Sequence, residues 1–214
     1  MNELIFLIHI FSLFGAVIVA KRLGKEALVC IISLQVVLSN LFVTKQIMVF
    51  GLEVTATDAY MIGSLVGMNL LQEFFGKESA KKALTLNTFI LLFFTLMSFI
   101  QIFYIPSSHD TLHSSFFSIL SLSPRIFLSS IISFYLSQKI DIELFPLFRK
   151  KFSLSIAITL SLIISQAADT VLFSYLALFG IVHSIFSIIT MSYCIKLIAL
   201  FSMTPLTAFL RKPK

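Results

Sequence analysis

Apolar residues gather into seven runs, each close to the ~20 residues a helix needs to cross a lipid core. They extend from Leu4 to Ala20, Ala27 to Thr44, Thr57 to Phe75, Leu84 to Ile105, Phe116 to Ser137, Leu154 to Phe179 and Ile185 to Phe209. This pattern predicts an all-α membrane protein, a polytopic bundle of seven transmembrane helices forming a single transmembrane domain over residues 1–214. The alternative is six, with the first run or the third, the most polar, buried or folded back. The connection from Lys45 to Asp58 is apolar and contains Gly51, so it is expected to dip back into the membrane. Such backbone is tolerated there only where protein or a cavity covers it.

Polar residues inside the runs are few, and two groups repeat. Ser133, Ser137, Gln138, Asp141, Leu144 and Phe145 return 28 residues later as Ser161, Ser165, Gln166, Asp169, Leu172 and Phe173. Both stretches read S-x-x-x-S-Q-x-x-D-x-x-L-F. On a helix, residues three and four apart share a face, so each Ser, Gln and Asp set points one way. Serines at such places commonly join helices through hydrogen bonds. An acid costs about 2.5–3.5 kcal/mol to insert, so Asp169 reads as functional. It falls about fifteen residues into run six, roughly 22 Å along a helix, while Asp141 lies just past the end of run five, nearer the side where the basic clusters fall. Lys196, deep in run seven, needs a partner, and Asp141 or Asp169 would serve. Phe145 and Phe173 are read first as packing and second as surfaces for a flat ligand.

Composition agrees with a membrane reading. Of 214 residues, 58% are hydrophobic and 12% charged, against about half and a quarter in soluble domains. The net charge of +6 does not call for a nucleic-acid partner, because thirteen of the sixteen basic residues cluster after alternate runs. The clusters are Lys21, Arg22 and Lys25; Lys77, Lys81 and Lys82; Lys139, Arg149, Lys150 and Lys151; and Arg211, Lys212 and Lys214. The positive-inside rule then places the N-terminus outside and the C-terminus in the cytoplasm. The order of apolar run and basic cluster argues against a cleaved leader. Cys30 and Cys194 are expected to be small buried hydrophobes. His109 and His113 lie four apart but lack a third ligand, and His9 and His183 stand alone, so no metal or other cofactor is expected.

The residues Asn40, Lys45, Phe50-Gly51-Leu52, Glu73-Phe-Phe-Gly76-Lys77, Pro124-Arg125, Ser129, Ser137-Gln138-x-x-Asp141, Phe145 and Ser165-Gln166-x-x-Asp169-Thr170-Val-Leu172-Phe173 occur in that order. Over about Asn40 to Lys196 the chain resembles the queuosine precursor transporter family, formerly classed with vitamin uptake transporters. The family often carries an Asp four residues before the Glu, where this chain has Asn69. The resemblance implies import of a 7-deazaguanine base (preQ0, preQ1 or queuine) across the cytoplasmic, or inner, membrane by alternating access. It implies a substrate-binding set of Asn40, Lys45, Glu73, Arg125, Gln138, Asp141, Gln166 and Asp169.

Expected partners are therefore the small-molecule base and membrane lipid, without nucleic acid; a homo-oligomer is left open. A carboxylate can accept two hydrogen bonds from adjacent N–H groups of a guanine-like edge, and the Gln amides offer both donor and acceptor. Three other readings stay open from the residues. One is the substrate-binding membrane subunit of an ATP-energised vitamin importer. Another is an intramembrane aspartyl enzyme, which needs both acids at one depth sharing a proton. The third is a structural assembly factor.

Overall fold

The computed structural model describes every residue except 44, 56, 122–123, 181–184 and 211–214. His183 and the cluster Arg211, Lys212 and Lys214 lie outside the described residues. The apolar runs form helices α1 (Asn2–Leu23), α2 (Lys25–Leu41), α3 (Asp58–Phe75), α4 (Lys77–Phe103), α5 (His113–Leu120), α6 (Pro124–Arg149), α7 (Leu154–Phe173) and α8 (Ile185–Met203). Single π and 3-10 turns, Ser174–Leu178 and Thr204–Phe209, extend α7 and α8.

Among the described residues, four helical segments are long and apolar enough to cross a membrane, or five if α5 and α6 make one bent span. The shortfall from seven has physical causes. α2 has only 17 residues, and α3 carries Asp58, Asn69, Gln72 and Glu73.

Two joints are a single residue long. Gly24 separates α1 from α2 at φ 119°, and Gly76 separates α3 from α4 at φ 90°. Both angles lie where a Cβ would be strained, so glycine lets one helix stop and the next begin at once. The connection between α2 and α3 forms a two-stranded antiparallel hairpin, β1 (Gln46–Val49) with β2 (Leu52–Thr55). Phe50 and Gly51 turn it, both at positive φ (52° and 75°), as a tight two-residue hairpin turn requires. The hairpin pairs its own backbone groups and needs no helix to satisfy them. It is tied to the start of α1, where Asn2 Nδ2 donates to the Met48 carbonyl at 2.9 Å and the Phe50 N–H donates to Glu3 at 3.3 Å.

These links define two ends of the bundle. One end holds the hairpin, the starts of α1, α3, α6 and α8, and the finish of α7. The other holds Gly24, Gly76 and the turn from α6 to α7. α3 is the most buried helix, and two small residues bring it close to its neighbours. A Cβ on Gly63 would lie 2.4 Å from Gln35 Oε1, and one on Gly67 would lie 2.8 Å from Ile32 Cγ1. This is the small-x-x-x-small device of membrane helix packing. Gly67→Leu is expected to destabilise the protein by about 1–3 kcal/mol, the usual cost of overpacking, read as a lower melting temperature in detergent.

Apolar side chains not used in the core point outward, among them Phe89, Phe93, Leu96 and Phe103 of α4. Cys30 and Cys194 are also exposed, contrary to the expectation of burial. On a bundle whose outer face is apolar, a small hydrophobe is as well placed outside as inside.

Candidate functional site: a charged chamber between α2, α3, α6, α7 and α8

A cavity of about 770 Å³ opens among these helices toward the hairpin end. Asp169 and Lys196 stand on its wall. Lys196 Nζ donates to Asp169 Oδ2 at 2.6 Å and to Thr170 Oγ1 at 3.2 Å, and Ser137 Oγ donates to Asp169 Oδ1 at 3.3 Å. Both members of the pair are more than nine-tenths buried. A buried pair survives only when further hydrogen bonds hold its remaining lone pairs and protons, and Ser137 and Thr170 supply them. Asp169 thus answers the need of Lys196 for a partner. A third ionisable residue, Asp58 in the first turn of α3, lines the same chamber and interacts electrostatically with both. Phe134 and Phe173 contribute aromatic wall. The π turn that follows α7 places Ser174 and Leu178 at the chamber, in keeping with the tendency of such turns to sit at functional sites.

The repeated motif is shared between two antiparallel helices. Ser137 of α6 reaches Asp169 of α7, while Ser161 of α7 stands beside Asp141 of α6. The two acids nevertheless meet different company. Asp141 Oδ2 accepts from Asn69 Nδ2 at 2.7 Å, and it is not part of the chamber wall. Next along α3, Gln72 Nε2 donates to the Ile142 carbonyl at 2.9 Å. Gln138 and Gln166 are buried near these acids, and neither amide finds a hydrogen-bond partner among the described residues.

The other expected residues are spread over both ends. Asn40 lines the chamber, donates to the Val36 carbonyl at 3.0 Å and accepts from Ser130 Oγ at 3.3 Å. Lys45 is exposed beside the hairpin and is not in the wall. Arg125 donates from Nε to the Leu176 carbonyl and from Nη2 to the Phe179 carbonyl, both at 2.8 Å, holding the chain where the π turn ends. Glu73 lies at the far end and accepts from Arg149 through both oxygens at 3.1 Å. Lys77, four residues on from Glu73, pairs with Glu143. Phe145 is core, whereas Phe173 faces the chamber.

Sequence reasoning missed Asp58 as a site residue. Its signal was an acid opening an otherwise apolar run. It also missed Arg149 as the partner of Glu73, because the two are 76 residues apart.

A charged chamber inside an apolar helical bundle is the build of a membrane transporter. The chain belongs to the family described as "Putative vitamin uptake transporter", whose model matches residues 55–210. It is 28% identical over 190 residues, covering 84% of this chain and 83% of the relative, to the "Probable queuosine precursor transporter" of Bacillus subtilis (strain 168). No solved structure matches the chain.

Proposed function

We propose that the protein imports a queuosine precursor, a 7-deazaguanine base such as preQ0, preQ1 or queuine, through the cytoplasmic membrane by alternating access. The carrying observation is the chamber of about 770 Å³ with Asp169 fixed on its wall. Its volume is within the ~300–1,000 Å³ usual for small-molecule sites. A planar base would lie against Phe173 or Phe134 and give its N–H edge to Asp169, with Asn40 turned to its remaining polar atoms. The name of the Bacillus relative supports the substrate class.

The same reading has seven spans in a single transmembrane domain, with the N-terminus outside. The far end, where Glu73 meets Arg149 and Asn69 meets Asp141, then faces the cytoplasm, because the basic clusters after α1, α3 and α6 lie there. The chamber is open outward in this conformation, and the polar ties at the far end close it inward. Gln138 and Gln166 lie between the chamber and that closure, and their amides, without partners among the described residues, are suited to receive the base as it moves inward. Asp141, held by Asn69, belongs to the closure. Arg125 and Lys45 act at the outer mouth, Arg125 by holding the π turn. An aspartyl-enzyme reading loses support because Asp141 and Asp169 bind different partners.

The test uses cells that cannot make the precursor. Each base is supplied separately, and queuosine in tRNA is read with and without the protein. Expression is expected to restore modification at low external base, and Asn40→Ala to raise the base concentration needed by about tenfold, the worth of one or two hydrogen bonds. If no supplied base restores modification, the reading fails. If uptake stops on ATP depletion at constant membrane potential, the protein is a subunit of an ATP-energised importer instead.

A further inference from the structure

Among the described residues that line the chamber, three are ionisable: Asp58, Asp169 and Lys196. One cation faces two acids, so with all three charged the wall carries a net formal charge of −1. Arg125, the nearest candidate to balance it, is committed to two backbone carbonyls and is not in the wall. An acid in the first turn of a helix is ordinarily explained by the helix dipole, and such residues sit in water. Asp58 differs, being 9% exposed and turned into the chamber beside the Lys196 pair. A second observation marks the wall as built for a ligand. Ser133 is 1% exposed and lines the chamber, and its hydroxyl finds no hydrogen-bond partner among the described residues. A buried polar atom left unpaired is costly unless something in the cavity meets it.

We propose that Asp58 is a specificity-determining residue that makes the chamber select a base carrying a protonated amine on its exocyclic arm. The inference rests on the import reading above. Asp169, already held by Ser137 and Lys196, takes the neutral N–H edge of the ring. Asp58 is left to take the ammonium, which brings the wall and its ligand to neutrality. A charge-assisted bond is about twice as strong as a neutral one, so a base with an uncharged arm forfeits most of what Asp58 offers.

The test measures uptake of labelled preQ1, which bears an aminomethyl group, in competition with preQ0, whose nitrile is neutral. Wild type is expected to favour the amine by about tenfold or more. Asp58→Asn should bring the ratio near one, chiefly by slowing the amine, and Asp58→Glu should keep the preference. Asn is itself a good residue at a helix start, so the variant is expected to fold. If it does not reach the membrane, Asp58→Ser, also a good residue at a helix start, is measured in its place. A wild type that does not discriminate, or an Asp58→Asn variant that slows both bases alike at normal membrane abundance, overturns the inference and leaves the import reading standing. Entry of neither base overturns both.

Discussion

Asp169→Ala is expected to abolish uptake and to destabilise the protein by about 3–5 kcal/mol, the cost of stranding one charge of a buried pair. Lys196 is 8% exposed, and after the substitution its ammonium keeps, among the described residues, the hydrogen bond to Thr170 Oγ1 at 3.2 Å and the longer-range attraction of Asp58. The two effects have different origins and can be separated. Replacing the pair by apolar residues removes the stranded charge, and such replacements are often neutral or stabilising. Asp169→Ala combined with Lys196→Met should therefore recover most of the melting temperature lost by Asp169→Ala. It should not recover uptake, because the carboxylate proposed to accept the base is still missing. Recovery of uptake by the double variant would show that Asp169 serves only to neutralise Lys196. The measurements are thermal unfolding in detergent and tRNA modification in the same cells.

Arg149→Ala comes second in expected size. The Glu73 side chain is 6% exposed and accepts two hydrogen bonds from the Arg149 guanidinium. Arg149 itself is 37% exposed, so water can partly replace it. The loss is expected to be about 2–3 kcal/mol, below the full cost of breaking a buried pair. Arg149→Lys should recover little, since an ammonium cannot match two carboxylate oxygens with a planar fork. Because the pair joins α3 to α6 at the end opposite the chamber, its loss should also make that end leak. A thiol-specific label placed by cysteine substitution at Gln138, tested in a background without Cys30 and Cys194, would then react faster from the end that carries Arg149. Unchanged melting and unchanged labelling would remove the Glu73–Arg149 pair as a closure.

Much of this architecture was legible from hydropathy, and the failures have reasons. A window that averages apolarity finds where a helix leaves lipid, not where it ends. It stopped run five at Ser137, although α6 continues to Arg149, since Lys139, Asp141 and Glu143 look like a loop on that scale. The hairpin was hidden in the same way. An apolar connection with one glycine reads as a buried loop, while the turn at Phe50 and Gly51 depends on backbone angles that hydropathy does not carry. At the site, the cost of burying Lys196 announced that an acid must meet it, but choosing Asp169 over Asp141 required the packing of α7 on α8. The repeat did identify helices that share hydrogen bonds across their interface. It did not foretell that one acid would face a cavity while the other met an amide from α3, because Asn69 lies outside the repeat.

The single-residue joints at Gly24 and Gly76 bear on how the molecule can move. A joint without slack cannot let two helices slide apart lengthwise, so α1 with α2 and α3 with α4 must travel as hinged leaves whose spines lie at the end away from the hairpin. The compliant connections are those with length to spare, the hairpin and the stretch after α4. Motion should therefore be broad near the hairpin end and slight at the spines, and a side chain added at Gly76 would stiffen the joint there without touching the chamber.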